Sequence, residues 1–201
     1  MSILNQKTIS DKISLQGVGI HTGKKVNINI IPASPNTGII FKRVDLIKNN
    51  IIIANYANVT NTLLCTTISN EYGVSVSTIE HLMGAFYGIG IDNAIVEIDS
   101  LEMPILDGSA RFFLQEIKRV GIKHSDQPIK IIKINKNIKI EDDQKFISIE
   151  RSNVTSEIEF EIKYKNNLIN VQKNKVNILE DNLSDIFNSC LLYTSDAADE
   201  Q

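Results

Sequence analysis

The first half of the chain alternates short apolar runs with turn-forming residues. Residues 26–30 alternate apolar and polar side chains, which is the period of a half-buried strand. Prolines, an asparagine and a glycine within residues 32–38 indicate a turn, after which residues 39–41 begin another strand. Apolar and β-branched residues predict further strands at 63–68 and 94–98. This region is therefore predicted to consist of short strands joined by turns.

Two segments of the same region have the end signals of helices. The first is predicted to begin after Ser77, its N-cap, to run through Ala85 to Tyr87, and to be closed by Gly88 and Gly90. The second covers about residues 109–120, with Asp107 as its predicted N-cap and Gly121 beyond its last residue. Strands and helices mixed in this way predict an α+β domain.

A polar stretch at residues 124–128 ends in a proline, and we place a domain boundary there, between 126 and 127. Beyond it the sequence again predicts strands, at residues 129–134, 138–140, 146–149 and 158–164. Residues 183–187 have the pattern of the first part of a helix. Residues 1–126 and 127–189 are thus predicted to be two α+β domains of similar plan, the second incomplete.

The last twelve residues, 190–201, differ in composition from everything before them. Ile, Lys and Asn dominate the chain up to residue 189 and do not occur after it. We interpret this tail as the translation of a sequencing adapter, which is to be left out of any reasoning about the fold. The alternative is a natural polar tail. Under the adapter interpretation Cys190 has no function.

Composition restricts the class of protein. With 201 residues, 42% of them hydrophobic, and a net charge of −3, the chain is of ordinary globular type, and no basic block predicts a nucleic-acid partner. It contains no run of 18 apolar residues, so we expect no transmembrane segment. Two cysteines form no disulfide framework, and the first residues lack the features of a secretory signal. We therefore expect a cytoplasmic protein that acts as a monomer.

The segment 77–82, Ser-Thr-Ile-Glu-His-Leu, places a carboxylate beside an imidazole. Ser77 and Glu80 have the spacing of a capping box, in which the glutamate accepts a hydrogen bond from the N-cap amide. Such a cap stabilises a helix by about 1 kcal/mol and needs no catalytic role. His81 can equally be an ordinary histidine near a helix start. The six residues alone are explained by this structural interpretation.

A catalytic interpretation of the pair also has a physical basis. The positive end of the helix dipole disfavours an imidazolium, so His81 would be held in the neutral form that binds zinc. The same field favours an ionised Glu80. Successive helical residues project about 100° apart, so the two side chains would have separate roles and would not both bind one metal ion. His81 would bind a metal and Glu80 would take a proton from the attacking water.

Three further segments occur in a fixed order around this pair. They are GVGIHTGKK at residues 17–25, Ile-Asp-Asn at 91–93, and MPILDGSA at 103–110. Together with 77–82 they resemble UDP-3-O-acyl-N-acetylglucosamine deacetylase, a family of zinc amidases that act in lipid A synthesis. The similarity is clear up to about residue 126 and rests beyond it, up to 189, on strand pattern and length.

The resemblance implies a fold of two similar two-layer domains, with the helices packed between the sheets and the active site between the domains. It implies hydrolysis of the acetamide of UDP-3-O-(3-hydroxyacyl)-N-acetylglucosamine, with Zn²⁺ as cofactor. Glu80 would be the catalytic base and His81 a zinc ligand.

Four more residues fall at positions that the resemblance assigns to substrate binding. His21 and Lys24 lie in the first segment, where a wall of the site and a contact to the anionic nucleotide are implied. Leu64 and Cys65 match a segment that lies near the glucosamine and acyl chain. From the residues alone, Leu64 and Cys65 are equally well explained as part of a buried strand, and His21 and Lys24 as part of an exposed turn.

The rest of the metal site implied by the resemblance has no match in this sequence. The family's other ligands are a histidine and an aspartate one helical turn apart, and a further histidine acts as general acid. The histidines here are His21, His81 and His124. We therefore expect the chain alone to be inactive. The alternatives are a binding module that kept the fold and lost the chemistry, or part of a fusion with a fatty-acid dehydratase domain.

Overall fold

A computed structural model describes residues 4–143, 145–152, 157–164 and 170–177. Two compact units separate between Ile129 and Lys130, three residues beyond the boundary predicted from the sequence. Sheets accompanied by two helices make up the described residues, which confirms the α+β class.

The first unit contains most of the described elements. In chain order they are β1 (Asn5–Ile9), β2 (Ile13–Val18), β3 (Lys25–Pro32), β4 (Ile39–Arg43), β5 (Ile51–Ile53), β6 (Val59–Asn61), β7 (Thr67–Ser69), β8 (Ser75–Val76), α1 (Glu80–Ile89), β9 (Ala94–Ile98), α2 (Arg111–Val120) and β10 (Ile122–Pro128).

A five-stranded sheet in the order β2-β3-β9-β4-β5 forms the centre of this unit. The pair β4 and β9 is parallel and the other neighbours are antiparallel. The strand register places Ile30 opposite both Ile13 and Val96, and Val96 opposite Phe41. All four of these side chains are fully buried, so one face of the sheet is a continuous apolar surface.

Both helices contribute to the core that covers this face. Leu82, Ala85 and Phe86 of α1 and Phe113 and Ile117 of α2 are buried in one cluster with the sheet residues, and the two helices contact each other. The opposite face carries both apolar and charged side chains: Ile31, Ile95, Ile40 and Ile53 lie side by side on it, next to the ion pair between the Lys42 ammonium and the Glu97 carboxylate, 3.0 Å apart. The central sheet therefore has the helices on one side, and the unit also contains the smaller sheets β6-β7-β8 and β1-β10.

Several predicted elements agree with the structure and one strand is displaced. Strand β9 has the predicted bounds, and β3 and β4 contain the segments predicted at 26–30 and 39–41. The strand predicted at 63–68 is wrong over most of its length, since only its last residues enter β7. Leu64, with φ of 63°, has the left-handed backbone of a turn, and this region joins β6 to β7.

Both predicted N-caps are also wrong. Helix α1 begins at Glu80, after Ile79, and α2 begins at Arg111; neither helix has a side-chain cap. Asp107 instead accepts hydrogen bonds from the backbone and hydroxyl of Ser109. Gly90 and Gly121 are confirmed as the residues that follow the two helices, and both have positive φ, but α1 continues through Gly88 to Ile89, two residues beyond the predicted last residue, Tyr87.

The polar stretch 124–128, expected to be a linker, is part of β10, which pairs antiparallel with β1. Residues 129–134 form no strand. The helix expected at 183–187 and the tail at 190–201 lie outside the described residues.

Two antiparallel hairpins are described in the second unit. The first pairs β11 (Ile138–Asp142) with β12 (Lys145–Ile149), and the other pairs β13 (Glu157–Lys163) with β14 (Val171–Asn177). The register gathers apolar side chains on one face of each hairpin: Ile138, Ile140, Ile147 and Ile149 in the first, and Ile158, Phe160, Ile162 and Val176 in the second. This alternation is typical of a sheet with one buried face.

Candidate active site at the start of helix α1

The backbone that precedes α1 is held by the segment at residues 101–103. The Ser77 amide donates to the carbonyl oxygen of Leu101 at 2.9 Å, and the Met103 amide donates to the carbonyl oxygen of Ser77 at 3.0 Å. Thr78 then has φ of 58°, a left-handed conformation that is unusual for a β-branched residue. Strained backbone of this kind persists where the surrounding structure fixes it, and it is concentrated at functional sites.

Glu80, the first residue of α1, does not form the capping box that its spacing predicted. Its carboxylate oxygen Oε2 accepts a hydrogen bond from the Thr66 amide at 3.1 Å. Ser77 is engaged with the chain at 101–103, so its amide is not available to Glu80. The capping-box explanation of Glu80 is therefore wrong. The side chain is only partly buried and lies at the positive end of the helix dipole.

His81 is buried, with 5% of its surface exposed. Its Nδ1 atom is enclosed and has no hydrogen-bond partner within the described part of the chain. Burial lowers the pKa of His81 below its ordinary value, although the nearby Glu80 and Asp107 carboxylates act in the opposite direction. The imidazole is thus held neutral. A neutral imidazole with an unpaired buried nitrogen is suited to bind a metal ion, and an unpaired buried group otherwise needs explaining.

The turn that contains His21 is connected to this helix start by a buried carboxylate. The amides of His21 and Thr22 donate to the carboxylate of Glu102 at 2.9 and 2.8 Å. The Thr78 hydroxyl donates to the same carboxylate at 3.3 Å. Glu102 has no exposed surface. The structure therefore brings the first segment, at residues 17–25, and the segment before Glu80 to one side chain.

Sequence reasoning did not identify Glu102. The available signal was a single acidic residue within the otherwise apolar segment Leu-Glu-Met-Pro-Ile at 101–105. Burial opposes its ionisation. Hydrogen bonds from His21 and from the backbone and hydroxyl of Thr22, together with the charge of His21, outweigh burial and hold the pKa of Glu102 below its ordinary value. Glu102 is accordingly an ionised carboxylate in the core.

This lowered pKa predicts a contribution to acid unfolding. Because ionisation is favoured in the folded state, the stabilisation is complete above the unfolded glutamate pKa of about 4.3 and is lost as the pH falls below it. Glu102→Gln should lower the free energy of unfolding by about 2–3 kcal/mol at neutral pH. The variant should also lose less stability than the unsubstituted chain between about pH 6 and pH 3. Urea unfolding followed by circular dichroism measures both, and equal pH dependence of the two proteins would contradict this account.

The remaining predicted site residues lie around these groups. His21 and Lys24 are exposed in the turn that the Gly19 amide closes on the Lys24 carbonyl oxygen at 3.0 Å. Leu64 is 72% exposed and Cys65 is half-buried. Both precede Thr66, whose amide bonds to Glu80, so this segment borders the candidate base. The roles of all four in substrate binding stay predictions.

A complete metal site is not formed by the described residues. None of the described residues form a group of three or more His, Cys, Asp or Glu placed to hold a metal ion. Asp107, which lies near His81, is engaged by Ser109 and by the Arg111 guanidinium, 2.8 Å from its carboxylate. The part of the chain described here therefore offers His81 as a single ligand beside a single candidate base.

A model of the family described as UDP-3-O-acyl N-acetylglycosamine deacetylase matches residues 6–190. The chain belongs to this family. The family membership inferred from the four sequence segments is thus confirmed.

Curated relatives with the name UDP-3-O-acyl-N-acetylglucosamine deacetylase are similar to this chain. One from Pseudoalteromonas atlantica is 46% identical over 73% of this chain and 48% of its own length. One from Vibrio cholerae is 41% identical over 79% of this chain and 53% of its own length. One from Actinobacillus succinogenes is 42% identical over 73% and 48%. The chain spans about half the length of the relatives it matches. Among its described residues, no helix is long and apolar enough to cross a membrane.

Proposed function

We propose that this chain supplies one part of the active site of a zinc-dependent deacetylase. The substrate would be UDP-3-O-(3-hydroxyacyl)-N-acetylglucosamine, and the reaction would be hydrolysis of its acetamide with release of acetate. The enzyme would act in the cytoplasm, which agrees with two cysteines that form no disulfide framework. Names of the relatives support the reaction class, while the zinc and the identity of the site residues are our proposal.

The observation that carries the proposal is the state of two neighbouring side chains. His81 is neutral and buried, and its Nδ1 has no partner among the described residues, while Glu80 is placed at the helix start without serving as its cap. A histidine that was only a packing residue would be expected to satisfy both of its nitrogens. A glutamate that was only a helix cap would bond to the helix start. Neither structural expectation is met.

Each residue then has a separate task. His81 would be one of the protein ligands of the zinc, which when bound polarises the acetamide carbonyl. The Glu80 carboxylate would accept the proton of the water that attacks this carbonyl. The proton for the leaving amine nitrogen would come from the histidine general acid that the resemblance implies and that has no match in this sequence. The hydrogen bond from the Thr66 amide to Oε2 orients the carboxylate and leaves Oε1 for the proton.

The residues at 64–66 are placed to connect substrate binding with the base. Thr66 is bonded to Glu80, and Leu64 presents an exposed apolar side chain two residues earlier. Leu64 and Cys65 would therefore contact the acyl chain or sugar close to the reacting acetamide. His21 and Lys24, on the exposed turn, would contact the more polar parts of the substrate.

The proposal is tested by comparing the 201-residue chain with the full-length deacetylase of which it would be one part. The two proteins are compared in zinc binding and in acetate release. A hydrolytic zinc site has three protein ligands and an open position. The chain alone should therefore release no acetate and lose its zinc on gel filtration. The full-length protein should retain zinc and release acetate until a chelator removes the metal. Metal content by mass spectrometry and acetate release from the UDP-linked substrate are the measurements.

Three results would contradict the proposal. Full-length protein that hydrolyses the substrate equally well after its zinc has been removed would exclude the zinc-dependent reaction. Full-length protein that retains zinc and releases no acetate would indicate a binding module instead. Ordinary turnover by the 201-residue chain would show that the described residues hold more of the site than their geometry indicates.

A further inference from the structure

We infer that Glu102 is a positioning residue of this site, which fixes the His21 turn to the backbone that carries Glu80 and His81. The inference rests on the proposed function and adds to it a residue that makes no contact with the metal or the substrate. Three hydrogen bonds to one buried carboxylate carry it.

The contacts of Glu102 come from two separate parts of the chain. Oε1 accepts the His21 amide and the Thr78 hydroxyl, and Oε2 accepts the Thr22 amide. Thr78 stands two residues before Glu80. The backbone of Glu102 also forms an isolated parallel bridge with Ser77. The Glu102 side chain thus bonds both to the turn and to the segment before Glu80. Its neighbours Leu101 and Met103 make the backbone hydrogen bonds to Ser77.

The surroundings of Glu102 leave no space for another arrangement. A Cβ atom added to Gly19 would lie 2.3 Å from Oε2 of Glu102 and 2.5 Å from the Thr22 hydroxyl oxygen. A glycine at position 19 is therefore required for the carboxylate to enter the turn. The same packing excludes solvent, so Glu102 cannot reach a substrate and act on it directly.

The carboxylate also determines what the His21 turn can bind. Successive amides of such a turn can form an anion-binding concavity. Here the amides of His21 and Thr22 are already used by Glu102. The turn is therefore a rigid support that presents the side chains of His21 and Lys24, and its backbone does not receive a phosphate.

The test uses Glu102→Gln in the full-length deacetylase, with Glu97→Gln as the matched control. Glutamine has nearly the same size as glutamate, but the NH₂ of its carboxamide is a donor and would face the donating backbone amides of His21 and Thr22. Glu97 pairs with Lys42 on the face of the central sheet opposite the helices, and neither residue contacts Glu102 among the hydrogen bonds described above. Small displacements of reacting groups cost up to about 100-fold in rate, so we expect kcat to fall about 10- to 100-fold in Glu102→Gln. Glu97→Gln should keep a normal kcat, and both variants should keep their zinc.

Two further measurements separate positioning from a loss of folding. In the 201-residue chain, Glu102→Gln should speed hydrogen exchange at the amides of His21 and Thr22 more than in α2, where exchange should rise only as far as the loss of global stability requires. Thr78→Val removes only the hydroxyl that reaches Glu102, and it should lower kcat in the same direction, whereas Thr78→Ser should restore it. These threonine variants decide the question if Glu102→Gln does not fold.

A folded Glu102→Gln enzyme with kcat within about twofold of the unsubstituted protein would overturn the inference. An equal loss in Glu97→Gln, or loss of kcat together with loss of zinc, would overturn it as well. Full activity of Glu80→Ala would instead refute the proposed function, so the two failures are distinguishable.

Discussion

In the full-length deacetylase, Glu80→Ala should lower the rate of acetamide hydrolysis about 10²- to 10⁴-fold and leave the zinc in place. His81→Ala should lower the rate and also release the zinc. The difference follows from the two tasks, because a missing base slows proton transfer while a missing ligand opens the metal site. Acetate release and metal content, measured on the same preparations, test both statements.

A conservative variant separates the chemistry of Glu80 from its hydrogen bond. Glu80→Gln retains an oxygen that can accept the Thr66 amide but cannot act as a base. It should be as slow as Glu80→Ala. Glu116→Gln, which loses an exposed ion pair with Arg119 on helix α2, is the control and should be normal. A near-normal rate for Glu80→Gln would mean that Glu80 is structural.

The elements that the sequence predicted correctly are those whose signal is local. The alternation of apolar residues in β9 and the glycines that end α1 and α2 are visible within a few residues. Strand β9 was also central in the sheet, where both neighbours reinforce its register. Local pattern and tertiary structure therefore agree at these positions.

The errors occur where distant parts of the chain compete for the same polar group. Ser77 has the sequence of an N-cap, but its amide bonds to Leu101. The stretch 124–128 is polar like a linker, but it pairs with β1, which lies more than 100 residues earlier in the sequence. Partners so far away in sequence are not visible in a local pattern, so tertiary contacts override the local preference.

The candidate site was predictable only in part for the same reason. Glu80 and His81 are neighbours in the sequence, and their chemistry can be read from two residues. Glu102 stands out only through its contacts with His21 and Thr22, which lie about 80 residues earlier in the sequence. Its role follows from the folded chain alone.

The second large expected effect concerns the hydrophobic core that supports the site. Phe86→Ala should lower the free energy of unfolding of the 201-residue chain by about 3–5 kcal/mol. Phe86 is 1% exposed on the buried face of α1, the helix whose first two residues are Glu80 and His81. Removing the ring leaves a cavity between helix and sheet that a close-packed core fills only partly. Urea unfolding followed by circular dichroism measures the loss.

Tyr87→Ala is the matched control, because it removes an aromatic ring from the next position of the same helix. Tyr87 is 60% exposed, so its removal should change the free energy of unfolding by no more than about 0.5 kcal/mol. Small domains have a total stability of about 5–15 kcal/mol, so the Phe86 variant should lose a large fraction of it. Equal losses in the two variants would show that α1 is not packed through Phe86. The orientation of Glu80 and His81 would then need a different support.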